Sequence, residues 1–211
     1  MKVAILGTGA VGQALARGFI ELGHEVVFGS REPAGPAAQK ATAAAPRSRA
    51  VSFAAAAKEA ELAVLATPWG GTQNALKLTG AEHLAGKVLI DVTNPLDVAG
   101  GRPKLALGFD TSAGEQVQAW APQAKVVKAF NTVGNGMMFK PKLRHAPTMF
   151  IAGNDSGAKE TVTGLLKQFG WEASDLGGLE ASRLLEPFAM VWIMHAFRKN
   201  AWMFALTPVD A

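Results

Sequence analysis

A glycine motif near the N-terminus constrains the fold of this chain more than any other feature. The run Gly7-Thr8-Gly9-Ala10-Val11-Gly12 is a G-x-G-x-x-G pattern that follows the apolar stretch KVAIL and opens the helix-like stretch AVGQALARGF. In such a strand–turn–helix unit the first glycine permits a tight turn, the second lets a pyrophosphate approach the backbone, and the third lets helix and strand pack closely. The context predicts that these six residues bind a dinucleotide; the alternative is a tight turn alone.

The rest of the chain repeats the alternation of strand and helix. Further apolar runs bounded by turn residues are EVVFG, AVSF, LAVLAT, KVLIDV, KVVKAF and TMFIAG, with Ala-rich or amphipathic stretches between them. This order predicts an α/β fold of the Rossmann type, a doubly wound and mainly parallel sheet. From Leu179 to Leu206 the pattern is helical, with an interruption at Pro187. We therefore expect an NAD(P)-binding domain over residues 1–178 and a short helical C-terminal extension over residues 179–211.

Composition excludes several classes of function. The chain has 211 residues, enough for one domain with a small appendage, and no cysteine, so disulfides, thiolate nucleophiles and cysteine-ligated zinc are absent. The apolar stretch PFAMVWIMHAF is far shorter than the roughly 20 residues of a membrane span. The net charge of +4 serves solubility or attracts an anionic ligand, and no basic block resembles a nucleic-acid surface. We expect a cytoplasmic protein with neither nucleic acid nor membrane as a partner.

The end of the second strand predicts which dinucleotide binds. An NAD-binding fold usually offers a carboxylate there, roughly 20 residues after the glycine motif, to the ribose 2′-hydroxyl, whereas this chain has Ser30 and Arg31. A guanidinium forks onto phosphate oxygens and a hydroxyl adds one hydrogen bond, so the pair suits a 2′-phosphate. The prediction is NADP(H) rather than NAD(H). Two alternatives stay open: Glu32 fills the acidic position, or Arg31 is a solvated surface charge.

Two more loops follow buried strands on the side where the ligand is expected. Thr67-Pro68-Trp69 would pass near the ribose and nicotinamide, and Asn94 could hydrogen-bond the carboxamide or ribose. Both loops could instead be ordinary turns, and Trp69 a packing residue. Their shared position at strand ends favours ligand contact.

Side chains for acid–base or metal chemistry are sparse. The four histidines are scattered, none has a helix-spaced partner that suggests a metal, and Asp91 is expected as a cap or ribose contact at a strand end. Hydride transfer needs little more than two aligned rings in a dry pocket, because the cofactor supplies the chemistry. A non-catalytic NADP(H)-binding sensor would also explain the sparse site. A cleft filled by Met137, Met138 or Trp192 would favour the sensor.

Several motifs together resemble one family. GTGAVGQALARGF, GSRE, ATPWGG, DVTNPL, KAFNTVG and DLGGLEASRLLEPFAMVWI occur in the order found in the NADPH-dependent coenzyme F420 reductases (F420H2:NADP oxidoreductases), and the likeness spans nearly the whole chain. The nucleotide-binding half of the cytosolic domain of STEAP-type metalloreductases is similar too. KAFNT and DLGGLEASRLLEP are the more specific motifs, since many unrelated enzymes share the glycine pattern.

The resemblance implies an NADP-dependent oxidoreductase that exchanges a hydride between NADP(H) and a small-molecule acceptor: coenzyme F420 first, FMN or FAD second, or another acceptor. It implies that Thr8, Ser30 and Arg31 bind the 2′-phosphate and that the Trp69 and Asn94 loops touch the nicotinamide half. It also implies that the loop of Asn131, Thr132, Val133 and Gly134 and the C-terminal helix wall a cleft for the second ring. No catalytic residue is certain; the ring-aligning candidates are Trp69, Asn94, Asn131 and Thr132.

Further expectations follow from the same resemblance. The protein is expected to be a homodimer with its C-terminal segment near the interface. The stretch EPAGPAAQ lacks a basic residue that often follows the arginine in the family, which leaves Lys40 or Arg47 as substitutes at the 2′-phosphate. Met137 and Met138 would line an apolar redox pocket or lie in the core. The basic run Lys140, Lys142, Arg144 and His145 would meet an anionic coenzyme tail or be solvated.

Overall fold

A single mixed sheet organises the molecule. The computed structural model describes residues 1–208. Its ten strands are β1 (Lys2–Leu6), β2 (Glu25–Ser30), β3 (Arg49–Ser52), β4 (Leu62–Leu65), β5 (Val88–Asp91), β6 (Leu96–Asp97), β7 (Lys104–Leu105), β8 (Lys125–Lys128), β9 (Thr148–Gly153) and β10 (Glu172–Asp175). Eight of them form one sheet in the order β10-β9-β8-β5-β4-β1-β2-β3, while β6 and β7 form a separate hairpin. All neighbours in the large sheet are parallel except β8 and β9.

Seven helices cover the sheet on both faces. They are α1 (Ala10–Glu21), α2 (Pro36–Ala44), α3 (Phe53–Glu59), α4 (Trp69–Thr79), α5 (Ala113–Trp120), α6 (Ser156–Gln168) and α7 (Ser182–Lys199), with short 3₁₀ turns at Ala81–Leu84, Asn135–Met137 and Leu179–Ala181. The predicted α/β, doubly wound and mainly parallel architecture is therefore confirmed.

Alternation along the central strands creates two cores. In β1, Val3 and Ile5 join the cluster under α1, α2 and α6, whereas Ala4 and Leu6 join the cluster under α3, α4 and α5. All four side chains are fully buried. A strand that is apolar on both faces can only sit in the middle of a three-layer structure, which explains why KVAIL reads as a continuous apolar run.

The connections reverse direction at the centre of the sheet. The chain runs from β1 outward to β2 and β3, then crosses back to place β4 on the other side of β1. In an open α/β sheet, ligands bind in the crevice that such a reversal leaves beyond the carboxyl ends of the strands. The crevice between β1 and β4 is therefore the place to look for a site.

The apolar pattern missed the least hydrophobic strands. β10, with the sequence EASD, lies at the edge of the sheet and pairs only with β9 in the described part of the chain. Its one apolar side chain, Ala173, is half-buried, so no run of hydrophobic residues marks it. The β6–β7 hairpin, two residues on each side, also escapes a pattern that needs several alternations.

The C-terminal segment differs from its prediction in two ways. Helix α7 continues through Pro187 rather than breaking there. Proline removes only one backbone hydrogen bond, and the burial of Leu185, Ala189 and Trp192 on one side of the helix offsets that loss. The helix also ends at Lys199, because Asn200 adopts a left-handed φ of 47° as the C-cap. Residues 201–206 were predicted to be helical, and the structure shows that they are not. The last three residues of the segment predicted over 179–211 lie outside the described part.

Candidate active site

The three glycines of the motif serve different needs. At Gly7 the φ angle is +125°, and a Cβ would lie 2.5 Å from the Ala66 carbonyl oxygen. At Gly12 a Cβ would lie 2.5 Å from the Gly7 carbonyl oxygen, so both glycines are required by the fold itself. Gly9 has an ordinary φ of −73° and no atom within 4 Å of an added Cβ. Because the protein itself does not require a glycine at position 9, the open space there fits the close approach of a ligand.

The N-terminus of α1 opens into the same space. Gly9 is the N-cap and supplies no side-chain hydrogen bond, and the first turn has no acidic residue. The first backbone bond of the helix runs from the Gln13 N–H to the Gly9 carbonyl. The N–H groups of Ala10, Val11 and Gly12 thus stay available, and with the positive end of the helix dipole they suit an anion.

A cavity of about 440 Å³ occupies the crevice beyond β1, β2 and β4. Seven residues predicted to bind the cofactor line it: Gly7, Thr8, Gly9, Ser30, Arg31, Thr67 and Pro68. The sequence therefore identified the residues of one continuous cavity from three separate loops.

The β2 tip, residues Ser30 to Glu32, forms one end of this cavity. The strand ends at Ser30, so Ser30 and Arg31 lie where the sequence predicted them. The Ser30 hydroxyl oxygen accepts a hydrogen bond from the Glu32 N–H at 3.2 Å, which leaves its own hydrogen free to donate. Arg31 is exposed and lines the cavity, and no carboxylate in the described residues pairs with it.

The neighbours of the β2 tip favour an anion. Glu32 also lines the cavity, but its carboxylate folds back toward Gly35, where an added Cβ would lie 2.9 Å from Oε2. Helix α2 begins next to it, with Gly35 as N-cap and no acid in the first turn. Of the two expected basic substitutes, Arg47 donates to the Ile20 carbonyl at 3.2 Å, and Lys40 is exposed without lining the cavity.

Thr67, Pro68 and Trp69 lead from β4 into α4. The hydroxyl oxygens of Thr67 and Thr72 lie 2.9 Å apart, and the Thr72 hydroxyl donates to the Pro68 carbonyl, which fixes the turn. Trp69 stacks on Trp120, with ring centroids 5.5 Å apart, and is not among the residues that line the cavity. A contact of Trp69 with the nicotinamide half therefore stays a prediction, and the alternative of a packing residue has this stack in its favour.

Asn94 and Asn131, which follow β5 and β8, form an amide pair. Asn94 Nδ2 donates to the Asn131 carbonyl at 2.7 Å, and Asn131 Nδ2 donates to Asn94 Oδ1 at 3.0 Å. Asn131 Nδ2 also donates to the Leu185 carbonyl of α7 at 3.1 Å. Asn131 is 4% exposed, and its Oδ1 has no hydrogen-bond partner in the described residues. The pair therefore offers one buried acceptor that the protein leaves unused.

The loop after Asn131 begins from a strained residue. Phe130 has a φ of +61°, and its N–H donates to Met149 Sδ at 3.3 Å. Thr132 is buried, with its hydroxyl 3.9 Å from the same sulfur. Trp192 of α7 packs against Gly134, where a Cβ would lie 2.6 Å from the indole ring. The loop and the C-terminal helix therefore pack against each other, and the cleft for a second ring between them stays a prediction.

A buried charge cluster of Asp91, Lys128 and Glu186 lies directly behind the amide pair. Lys128 Nζ lies 2.6 Å from Asp91 Oδ2 and 2.9 Å from Glu186 Oε1, and it donates to the Thr93 carbonyl at 2.9 Å. The Lys128 and Asp91 side chains are fully buried, and that of Glu186 is 2% exposed. The sequence analysis missed Lys128 and Glu186. A signal was present, since Asp91 and Lys128 each end an apolar run, VLID and KVVK, at paired positions of neighbouring strands.

Burial and charge act against each other in this cluster. Burial by itself would lower the pKa of Lys128, but the carboxylates of Asp91 and Glu186 outweigh it and raise that pKa, so the group stays an ammonium. Burial raises the pKa of Glu186, opposed by Lys128 and by the N–H of Ala113. The two Glu186 oxygens accept from the Ala113 and Gly114 N–H groups at 2.9 and 3.0 Å, an arrangement that suits the carboxylate.

Two expected ligand contacts lie elsewhere. Met137 and Met138 are 2% and 1% exposed and belong to the core under α1, which supports their interpretation as core residues. Lys140 pairs with Glu21 at 2.7 Å. Glu21 ends α1, whose other end opens into the cavity, so Lys140 lies away from the cavity, and its exposure fits the alternative of a solvated residue. A contact of Lys142, Arg144 and His145 with a coenzyme tail stays a prediction.

A second, more apolar groove lies beside the loop that follows β5. Its volume is about 980 Å³, and its lining includes Leu105, Leu107, Phe109, Leu184 and Pro187. It adjoins the Asn94 loop, because the Ala106 N–H donates to the Pro95 carbonyl at 2.7 Å. Neither the groove nor the first cavity is lined by Met137, Met138 or Trp192. The condition set for a sensor is thus not met in these two cavities.

Two further searches covered residues 1–208. No cluster of three or more histidine, aspartate and glutamate side chains suited to a metal ion occurs there. None of the helices in that range combines the length and apolar character needed to cross a bilayer.

Comparison with known proteins relates the chain to one family. Residues 2–95 match the family model described as NADP oxidoreductase, coenzyme F420-dependent. The F420-dependent NADP reductase of Methanocaldococcus jannaschii is 34% identical over 199 residues, which cover 88% of each chain. A crystal structure of a candidate F420-dependent NADP reductase from Arthrobacter sp. FB24 is 37% identical over the full length of both chains, with a TM-score of 0.93. The metalloreductase STEAP3 of Rattus norvegicus is 29% identical over 88% of this chain but only 36% of its own length.

Proposed function

This chain belongs to the F420-dependent NADP reductase family, and we propose that it transfers a hydride between NADP(H) and the deazaflavin coenzyme F420. It is an NADP-dependent oxidoreductase. The observation that carries the proposal is the cavity at the strand reversal, which is lined by Gly9 with its open space, by Ser30 with its free hydrogen, and by Arg31, which has no ion pair in residues 1–208. Each of these suits a phosphate of NADP(H).

The adenosine half is held by charge and by helix ends. The pyrophosphate lies over Gly9 against the free N–H groups of α1. Arg31 and Ser30 hold the 2′-phosphate beside the N-terminus of α2, whose first turn has no acid to repel it. Arg31 stands where an NAD-binding fold offers a carboxylate, and the Glu32 carboxylate folds back toward Gly35, so NADP(H) is selected over NAD(H).

The nicotinamide half reaches the amide pair. The unused Asn131 Oδ1 accepts an N–H of the carboxamide, while both hydrogens of Asn131 Nδ2 are engaged by Asn94 and Leu185 and so fix the direction of the acceptor. The reduced nicotinamide supplies the hydride. The side chains here orient the ring and exclude water, which is the main requirement of such a transfer. Thr132 lies in the same buried loop as a further ring-aligning candidate.

The acceptor occupies the apolar groove beside the Asn94 loop. Its lining of Leu105, Leu107, Phe109, Leu184 and Pro187 suits a planar ring. In this arrangement residues 1–178 form the nucleotide-binding domain, and the segment from residue 179 onward closes the cleft.

The homodimer is proposed from the outward face of α7. Leu184 and Val191 are 68% and 57% exposed, and Phe197 is 57% exposed on the same helix. Leu184 and Val191 lie seven residues apart and so share one face of the helix, and apolar side chains exposed in this way suit contact with a second copy. Sedimentation equilibrium should give twice the chain mass of 22.0 kDa; a single chain mass at micromolar concentration would refute the dimer.

An acceptor assay tests the function. NADPH oxidation is followed without oxygen, with coenzyme F420, FMN, FAD and a quinone as parallel acceptors, and with NADH as the alternative donor. We expect turnover with NADPH and coenzyme F420 to exceed every other pair. If FMN or FAD is reduced faster than coenzyme F420, the acceptor in the proposal is a flavin instead. If no acceptor is reduced, the proposed hydride transfer is wrong.

A further inference from the structure

The ammonium of Lys128 is fully satisfied inside the protein. Its three contacts are Asp91 Oδ2, Glu186 Oε1 and the Thr93 carbonyl, at 2.6, 2.9 and 2.9 Å. An ammonium has three hydrogens to donate, so none remains for a ligand. The cluster therefore does not bind a substrate directly, and its role has to be sought in what it holds together.

The two carboxylates of the cluster also accept hydrogen bonds, except at Asp91 Oδ2, whose partner is the ion pair with Lys128. Asp91 Oδ1 accepts from the N–H and the hydroxyl of Thr93, at 2.9 and 2.7 Å. Glu186 accepts from two N–H groups at the start of α5, more than 70 residues earlier in the chain. Four elements, β5, β8, α5 and α7, are thus tied at one point on the ligand side of the sheet.

Each member of the cluster lies close in sequence to a member of the amide pair network. Asp91 precedes Asn94 by three residues on β5 and its loop, and Lys128 precedes Asn131 by three residues on β8 and its loop. Glu186 follows Leu185, whose carbonyl accepts from Asn131 Nδ2. Every segment that the amide pair depends on is therefore anchored by one charge of the cluster.

Replacing buried ion pairs by well-packed hydrophobic residues is often neutral or stabilising, so burial of these charges is weak support for a stabilising role. Charged groups differ from apolar groups because their hydrogen bonds have preferred distances and angles, which fix which atoms face each other. The cluster can thus set the positions of the two loops and α7 to within a fraction of an ångström, as catalytic alignment requires.

We propose that Asp91, Lys128 and Glu186 form a positioning cluster that sets the geometry of the amide pair, and through it the alignment of the nicotinamide ring. The inference rests on the proposed function for the identity of the ring. The cluster is separate from the adenosine half, which is bound at the β2 tip and at α1.

The test uses Glu186→Gln in the full-length protein. This change leaves one ammonium and one carboxylate, so the ammonium keeps a buried counter-charge, whereas Lys128→Met would leave two buried carboxylates without one. Glutamine has one oxygen, so it can serve only one of the Ala113 and Gly114 N–H groups. Asp91→Asn, which also leaves one charge of each sign, is the second arm. Val162→Ala, a buried truncation in α6 away from the site, is the control for lost stability.

Three quantities are measured: the single-turnover rate of hydride transfer from saturating NADPH to coenzyme F420, and the dissociation constants of NADP⁺ and of 2′,5′-ADP. The latter carries the adenosine half alone. We expect the transfer rate of both cluster variants to fall about 10- to 100-fold, as for small misalignments of reacting groups. The affinity for 2′,5′-ADP should stay within about twofold of the wild type. Val162→Ala should lower the melting temperature and change none of the three.

The outcomes separate the two proposals. An unchanged transfer rate, or a loss of 2′,5′-ADP binding in step with the rate, would overturn the positioning role. If the wild type transfers no hydride to coenzyme F420, the proposed acceptor is wrong. The two dissociation constants then test the positioning role of the cluster on their own. The ratio of the NADP⁺ to the 2′,5′-ADP dissociation constant should then rise about tenfold in Glu186→Gln. An equal ratio in variant and wild type would refute the cluster's role.

Discussion

The β2 tip and the amide pair are built in opposite ways, although both lie at the carboxyl edge of one sheet. At the β2 tip, Arg31 is exposed and unpaired among the described residues, and Ser30 keeps a free donor. At the amide pair nearly every polar atom already has a partner, and three buried charges stand behind it. The first region keeps polar groups that can bind a ligand, whereas the polar groups of the second are already paired with one another.

This difference separates selection from alignment. A 2′-phosphate is charged, and an exposed guanidinium can bind it at little cost to the fold, because neither group has to be taken far from water. Alignment of two rings tolerates much less movement, so its supports are buried and held by several hydrogen bonds. Substitutions at the β2 tip should therefore change the choice of cofactor, and substitutions behind the amide pair should change stability and rate.

The largest effect is expected for Lys128→Met. Removing the ammonium leaves Asp91 and Glu186 as two uncompensated carboxylates in the core, at a cost of about 3–5 kcal/mol in the free energy of unfolding. Urea denaturation at neutral pH measures it. The matched control is Lys140→Met, since Lys140 pairs with Glu21 at the surface, where such pairs contribute about 1 kcal/mol or less. Equal losses in both variants would remove the contrast between the two regions.

Gly9→Val is the next largest and concerns binding alone. The added side chain fills space that is empty of protein atoms, so the melting temperature should change little. The affinity for NADPH should fall on the order of 100-fold, or nearly 3 kcal/mol, because the pyrophosphate needs the same space. Gly164→Val in α6 is the control, since Gly164 is equally open and remote from the cavity. Calorimetric titration with NADPH would refute the assignment if both variants bind like the wild type.

Arg31→Glu sharpens the role of the β2 tip. The new carboxylate repels a 2′-phosphate, so the Michaelis constant for NADPH should rise by at least about tenfold while that for NADH changes little. Stability should be unchanged, because Arg31 has no ion pair to lose in residues 1–208. Lys40→Glu, on the neighbouring helix but outside the cavity lining, serves as the control for general electrostatics. If both cofactors suffer equally, Arg31 has a structural role.

The sequence predicted the β2 tip better than the region behind the amide pair, for a physical reason. Gly7, Gly9, Ser30 and Arg31 are set by local rules: a motif, a strand end and a fixed spacing between them. Lys128 forms its ion pair with Glu186, which is 58 residues away in the chain. The two residues come together only because α7 packs on the sheet. From a single lysine in an apolar run, the sequence does not predict which carboxylate will pair with it.

Errors in the predicted elements follow the same division. Pro187 was expected to interrupt a helix on a local rule, and tertiary burial of α7 overrode it. The charge of the basic run left two interpretations open, a coenzyme contact and a solvated surface, and the topology places its first residue, Lys140, beside Glu21 at the end of α1 away from the cavity. Local chemistry thus predicted which residues can bind an anion, while only the fold determined which of them face the crevice.

The smallest expected effect concerns a surface pair that joins α5 to α7 near the buried cluster. Glu115 accepts from Arg183 Nε at 2.8 Å and Nη2 at 2.6 Å, and its Oε2 lies 2.7 Å from the hydroxyl of Ser112, the N-cap of α5. The hydrogen bond from Arg183 lowers the pKa of Glu115, against the raising effect of burial. A lowered pKa in the folded state stabilises the fold above the glutamate pKa of the unfolded chain, about 4.3.

Glu115→Gln should therefore lower the melting temperature by no more than about 3 °C at pH 7, because Arg183 is partly solvated and the pair is screened. The difference in melting temperature between the variant and the wild type should shrink as the pH falls through the folded pKa of Glu115. Below that pKa the wild-type Glu115 is protonated, so it is uncharged like the glutamine of the variant. Glu172→Gln, at an exposed position without an ion pair in the described residues, should match the wild type throughout. If Glu115→Gln lost as much stability at pH 7 as Lys128→Met, a solvated and a buried ion pair would stabilise α7 equally. That result would contradict the difference between exposed and buried charges on which the comparison of the two regions rests.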